Sequence, residues 1–156
     1  MDNKNNRRKT QLGITFTCND RYIDCSYYSF KFFRDKLASK IGESFYELYT
    51  EPERLGKFNL PENEYRKEYF KEHAQRSLAL CKKLKVPKKL QYFLWACDCE
   101  GKCSPSQASF VLRYTKNFTK TERETLFGYA INGKTVQDFI KLFEIAAKEN
   151  KPITWY

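Results

Sequence analysis

Leu12-Gly-Ile-Thr-Phe-Thr-Cys18, Asn19-Asp20 and Arg21-Tyr-Ile-Asp-Cys-Ser-Tyr27 follow one another without a break. In the first run Leu12, Ile14, Phe16 and Cys18 alternate with Gly13, Thr15 and Thr17, the two-residue period of a half-buried strand. Asn19-Asp20 supplies turn residues, and Arg21 to Tyr27 reads as a returning strand, so the stretch predicts a β-hairpin. Everything downstream is dominated by the helical period. A hairpin followed by helices predicts an α+β class.

Working outward, Ser29 is expected to cap a helix that ends before Gly42, with Phe30, Phe33, Leu37 and Ile41 on its inner face. A single helical turn is expected at Phe45 to Tyr49, then a loop from Pro52 to Pro61. Pro61 would open a long helix that runs to about Lys85 and stops before Pro87. Leu90 to Ala96 reads as a short helix. Ser104-Pro105 should cap and start a helix to about Lys116. Thr119 with Glu122 and Thr135 with Asp138 form capping-box patterns. Val136 to Glu149 places Phe139, Leu142, Phe143 and Ala146 on one face of a last helix. Pro152-Ile-Thr-Trp-Tyr156 is β-prone and is expected to join the hairpin. The fold expected is a hairpin plus a short C-terminal strand packed against four or five helices. Residues 12–156 form one domain, preceded by a basic flexible arm at 1–11.

The 156 residues suffice for a sizeable core. No apolar run approaches the ~20 residues of a membrane span, and no secretory pattern opens the chain, so a cytoplasmic protein without membrane contact is expected. The six cysteines would then be thiols rather than bridges.

The formal charge is +10 and it is uneven. Arg54 to Leu90 contains eleven basic and four acidic residues, and Met1 to Thr10 adds four basic against one acidic. Localised positive charge points to phosphate or to an acidic surface. Aromatics make up 17% of the chain, and Tyr65, Tyr69 and Tyr92 lie among the lysines. Aromatic rings stack on bases while lysines and arginines neutralise phosphates. The candidate anion-binding residues are therefore Arg66, Lys67, Tyr69, Lys71, Lys82, Lys83, Lys85, Lys88, Lys89 and Tyr92. Most other aromatics are assigned to the core.

Gly128-Tyr-Ala-Ile-Asn-Gly-Lys-Thr135 matches the phosphate-loop pattern letter for letter. Its context does not: the residues before Gly128 suit a helix rather than a strand, and too little chain follows for a parallel sheet with a metal-binding acid. The turn is read as a cap for the last helix, with Lys134 retained as an anion-binding candidate.

Cys97-Asp-Cys-Glu-Gly-Lys-Cys-Ser-Pro105 concentrates three thiols and two carboxylates. Zinc would draw on Cys97, Cys99 and Cys103 with Cys81 or His73, but the spacing lacks the paired knuckles of structural zinc sites. A tight turn is favoured, with Asp98 folded over its own backbone, Gly101 at positive φ and Ser104 capping the next helix. His73 is the single histidine. No third, orienting group accompanies it, so no catalytic constellation and no cofactor are expected.

Phe93-Leu-Trp-Ala-Cys-Asp-Cys-Glu-Gly-Lys-Cys-Ser-Pro105, with Asp138-Phe-Ile-Lys-Leu-Phe143 and the ending Trp155-Tyr156, resembles small uncharacterised bacteriophage and bacterial proteins that carry an Asp-Cys-(Asp/Glu)-Gly turn. The likeness covers about the last 65 residues. It implies a phage or mobile-element setting, hence a role against host defences. The function expected is non-enzymatic binding of an anionic ligand, either nucleic acid or a signalling nucleotide. The alternative is an inhibitor that docks on an acidic surface of a host protein. Zinc binding and enzymatic activity rank below both.

Overall fold

β1 (Ile14–Cys18) and β2 (Arg21–Cys25) form the hairpin, paired antiparallel with Phe16 opposite Ile23, in a computed structural model that describes residues 13–156. Asn19 takes the left-handed conformation that the tight turn demands. The arm at 1–11 and Leu12 lie outside the described residues. β4 (Ile153–Trp155) pairs antiparallel with β1, Phe16 facing Trp155, as the β-prone ending predicts. A further strand, β3 (Gly101–Cys103), pairs with the other side of β4. The sheet order is β2-β1-β4-β3. On one face Ile14, Phe16, Cys18, Ile153 and Trp155 are buried. On the other, Thr17 and Thr154 hydroxyls meet across the strands at 2.8 Å.

Seven α-helices are present among the described residues, against four or five expected. They are α1 (Tyr27–Ile41), α2 (Glu43–Arg54), α3 (Glu64–Leu84), α4 (Lys88–Leu94), α5 (Pro105–Thr115), α6 (Lys120–Glu124) and α7 (Val136–Glu149). The cap of α1 is Ser26, not Ser29. The Ser26 hydroxyl accepts the Ser29 amide, so the helix starts earlier and β2 ends at Cys25. The three other capping patterns form as expected, at Ser104 with Gln107, Thr119 with Glu122 and Thr135 with Asp138.

The single turn expected at Phe45 to Tyr49 is a full helix, and Pro52 lies inside its last turns rather than opening a loop. A proline there removes the amide that would bond the carbonyl four residues back. That carbonyl belongs to Leu48, and the His73 ring Nε2 donates to it at 2.7 Å. The histidine thus supplies the hydrogen bond that the proline withholds. Pro61 likewise falls before α3, whose cap is Asn63.

The core is built of phenylalanines around one tryptophan. Phe16 packs edge-on to Phe30 and Phe139, each at 4.8 Å between ring centres. Phe139 stacks on Phe127 at 4.1 Å and meets Phe33 edge-on at 4.7 Å. Trp155 joins Phe16 and Phe30, both at 5.5 Å. Edge-to-face contacts suit the ring quadrupoles. The tyrosines go mostly to the surface: Tyr22, Tyr27, Tyr28, Tyr46 and Tyr156 are exposed, although the sequence assigns most aromatics other than Tyr65, Tyr69 and Tyr92 to the core.

The turn from Cys97 to Gly101 differs from expectation. Gly101 is not at positive φ. The glycines that are, among the described residues, are Gly56 and Gly133. Gly101 opens β3 because a Cβ there would come within 2.3 Å of the Trp155 ring. Asp98 does not fold over its own backbone; it pairs with the buried Arg34.

Candidate anion-binding surface

α3 is mostly exposed. Of its 21 residues only His73, Ser77 and Cys81 are buried. Its first half is electrically balanced and structurally committed. Arg66 donates to the Phe58 and Leu60 carbonyls, both at 2.9 Å, and lies over the Phe70 ring. Lys67 pairs with Glu64 at 3.5 Å. Tyr69 donates to Glu51 at 2.7 Å; burial and that carboxylate push its hydroxyl up to about 12. Arg76 grips the same Glu51 with two nitrogens, at 3.0 and 2.7 Å. Among these candidates Lys71 alone is exposed with no ion pair.

The second half is different. Between His73 and Cys97 the chain contains no Asp or Glu at all. Lys82, Lys83, Lys85, Lys88 and Lys89 all lie within eight residues and all are exposed. None makes an ion pair among the described residues. The turn among them is built from the end of α3. Lys85 sits at left-handed φ 55°, and the Val86 amide reaches back to the Cys81 carbonyl at 2.9 Å. That reversal brings α4 in directly behind α3. Pro87 caps α4, and Lys88 and Lys89 occupy its first turn. Tyr92 follows Lys88 by four residues and Lys89 by three, so helical spacing puts the three on one side. The ring of Tyr92 is 66% exposed and has no ring contact among the described residues.

Lys82, Lys83, Lys85, Lys88, Lys89 and Tyr92 are thus exposed and close along the chain, whereas Arg66 and Tyr69 act as structural braces. Lys134 belongs elsewhere. It lines a cleft of about 450 Å³ between β2 and α7, with Asp20, Arg21, Tyr22, Asp24, Asp138 and Lys141 among its neighbours. Positive and negative side chains there balance. In the phosphate-loop look-alike, the Phe127 and Gly128 amides both donate to the Lys134 carbonyl at 2.8 and 3.0 Å. Gly128 bridges Cys25 of β2 antiparallel. The loop is closed on itself, with neither the preceding strand nor the parallel sheet of a phosphate loop.

His73 spends its Nε2 on Leu48. Cys81 and Cys103 are buried, while Cys97 and Cys99 are exposed, and no three His, Cys, Asp or Glu side chains among the described residues could hold a metal ion together. No described helix is long and apolar enough to cross a membrane.

Arg34 is the important residue that sequence reasoning undervalued. It is only 6% exposed. Its Nη1 donates to the carbonyls of Leu94 and Ala96 at 3.3 and 2.7 Å, Nη2 pairs with Asp98, and the guanidinium lies 4.1 Å from the Phe30 ring centre. Burial lowers its pKa from the usual arginine value. Arg34 thereby fixes the end of α4 and the cysteine loop together. The signal available was a charged residue one place beyond Phe33, on the apolar side of α1. Comparisons with protein-family models, with curated proteins and with solved structures return no match.

Proposed function

We propose that the protein is a non-enzymatic binder of nucleic acid, and that the basic turn Lys82–Lys89 with Tyr92 is its contact surface. One observation carries this reading: two of the five lysines, Lys85 and Lys88, stand where local energetics give no reward for a positive charge, whereas Lys89 donates to the Ser106 hydroxyl. Lys85 holds a left-handed backbone that favours glycine. Lys88 occupies the first turn of α4, where the helix dipole favours acids and no acid is present. Folding alone does not explain cations at these positions, whereas a phosphate backbone does. Lys82 and Lys83, in the last turn of α3, suit both purposes. A polymer fits better than a single nucleotide because the lysines ride on the outside of a helical corner. None of them lines the cleft between β2 and α7.

In the setting that the Asp-Cys-Glu-Gly resemblance implies, the bound nucleic acid would be one on which a host defence acts. The test is titration of a labelled oligonucleotide at several salt concentrations. Binding should be clear at ~50 mM salt and weaken steeply as salt rises. Changing Lys82, Lys83, Lys88 and Lys89 together to glutamate should abolish it. No binding at low salt, or an unaffected quadruple variant, overturns the proposal. A single stoichiometric host protein retained from lysate by the wild type, but not by that variant, would replace it with docking on an acidic protein surface.

A further inference from the structure

Four of the six cysteines are buried, and burial raises their thiols: Cys25 and Cys103 to about 12, Cys18 and Cys81 upward. They have neither access nor thiolate character. Cys97 and Cys99 are exposed, and their sulfurs lie 2.7 Å apart. The Cys99 amide points at the Cys97 sulfur at 3.4 Å. The loop around them is fixed from below. Trp155 Nε1 donates to the Cys97 carbonyl at 2.9 Å, and Asp98, between the two cysteines, is held by Arg34. Two thiols are thus presented side by side to solvent on an anchored turn.

We infer that Cys97 and Cys99 form a dithiol–disulfide exchange site whose co-reactant is a low-molecular-weight disulfide such as oxidised glutathione. Cys97 is the attacking sulfur and Cys99 the resolving one. The pair is asymmetric: the hydrogen bond from the Cys99 thiol, then backbone amides, lower Cys97, while the same contact raises Cys99. The Cys97 thiolate attacks one sulfur of the small disulfide, giving a mixed disulfide and releasing one small thiolate. Cys99 then loses its proton and attacks the Cys97 sulfur, closing the Cys97–Cys99 bond and expelling the second small thiolate. Two protein thiols are oxidised and one small disulfide is reduced to two thiols. Residues i and i+2 are at most ~7 Å apart along the backbone, so closure asks for only a local adjustment. An exposed pair of thiols is otherwise a liability on a protein surface. This inference does not depend on nucleic-acid binding.

The test uses the full-length reduced protein in glutathione redox buffers, with the remaining thiols alkylated and located by peptide mass mapping. Oxidation should remove the mass of two hydrogens, block Cys97 and Cys99 alone, leave the protein's size unchanged and reverse with dithiothreitol. Cys99→Ser should stop halfway, with a stable glutathione adduct on Cys97. Cys97→Ser should give neither product. An unoxidised wild type, oxidation spread over the buried cysteines, a disulfide between two molecules, or no adduct in Cys99→Ser each overturns the assignment.

Discussion

At the scale of single residues, Arg34 shows how one side chain can define a loop. Its guanidinium satisfies the Leu94 and Ala96 carbonyls and restrains Asp98. Arg34→Ala strips the Ala96 carbonyl of this donor, leaves the Leu94 carbonyl with the Tyr49 hydroxyl at 2.7 Å, and opens a hole against Phe30. We expect a loss of about 2–4 kcal/mol of stability, measured by urea unfolding. Arg34→Lys should recover little, because an ammonium cannot span three acceptors in one plane.

Glu51 makes a second prediction, in pH. The Arg76 guanidinium, helped by the Tyr69 hydroxyl, holds its carboxyl down at about 2, below the ordinary 4.5. The folded pKa lies below the unfolded one, so the clamp between α2 and α3 is fully present above about pH 4.5 and is lost as pH falls towards 2. Thermal unfolding temperature should drop across that interval. Glu51→Gln should start lower and show a shallower drop. An identical acid profile for both proteins would show that this clamp adds nothing.

At the scale of elements, the basic corner between α3 and α4 separates stability from binding. Lys85→Gly relieves the left-handed strain and should stabilise the fold by several tenths of a kcal/mol to about 1 kcal/mol. Lys88→Glu puts an acid in the first turn of α4 and should add about 0.3–1 kcal/mol at low salt. Both should weaken oligonucleotide binding while raising the urea midpoint. Parallel losses in both quantities would mean that the lysines serve the fold.

The elements were readable to different degrees. Alternation in β1, the capping boxes and the apolar faces of α1, α5 and α7 are local signals, and they gave the hairpin, the helices and the C-terminal strand. β3 was hidden because a three-residue strand pairs only with a partner far along the chain, and Gly101 reads as a turn residue unless Trp155 is seen above it. α2 was cut short on the page by Pro52, since nothing local announces that His73 will bond the Leu48 carbonyl. The charge excess marked the whole stretch from Arg54 to Leu90. It could not tell Lys82 from Arg66, because pairing with carbonyls or with Glu51 is decided in three dimensions.

At the scale of the whole molecule, the phenylalanine core is contiguous, while α3 leaves most of its residues outside it. Five lysines without an ion pair among the described residues fall within one eight-residue stretch. The slope of log affinity against log salt should report how many of these lysines meet phosphate. Each alanine substitution among Lys82, Lys83, Lys88 and Lys89 should reduce that slope by about 1. Lys134→Ala, in the cleft between β2 and α7, should leave it unchanged. A uniform slope across all five variants would indicate diffuse attraction to overall net charge.

The strand order has one more consequence. β4 lies between β1 and β3, yet it follows both in the chain. On a ribosome, which delivers the chain from its N-terminus, the hairpin and β3 both emerge before the strand that will separate them. Until β4 arrives, β1 keeps an open row of amides and carbonyls, the arrangement that invites pairing with a stranger. Nascent chains stalled before Ile153 should therefore be the most dependent on chaperone cover.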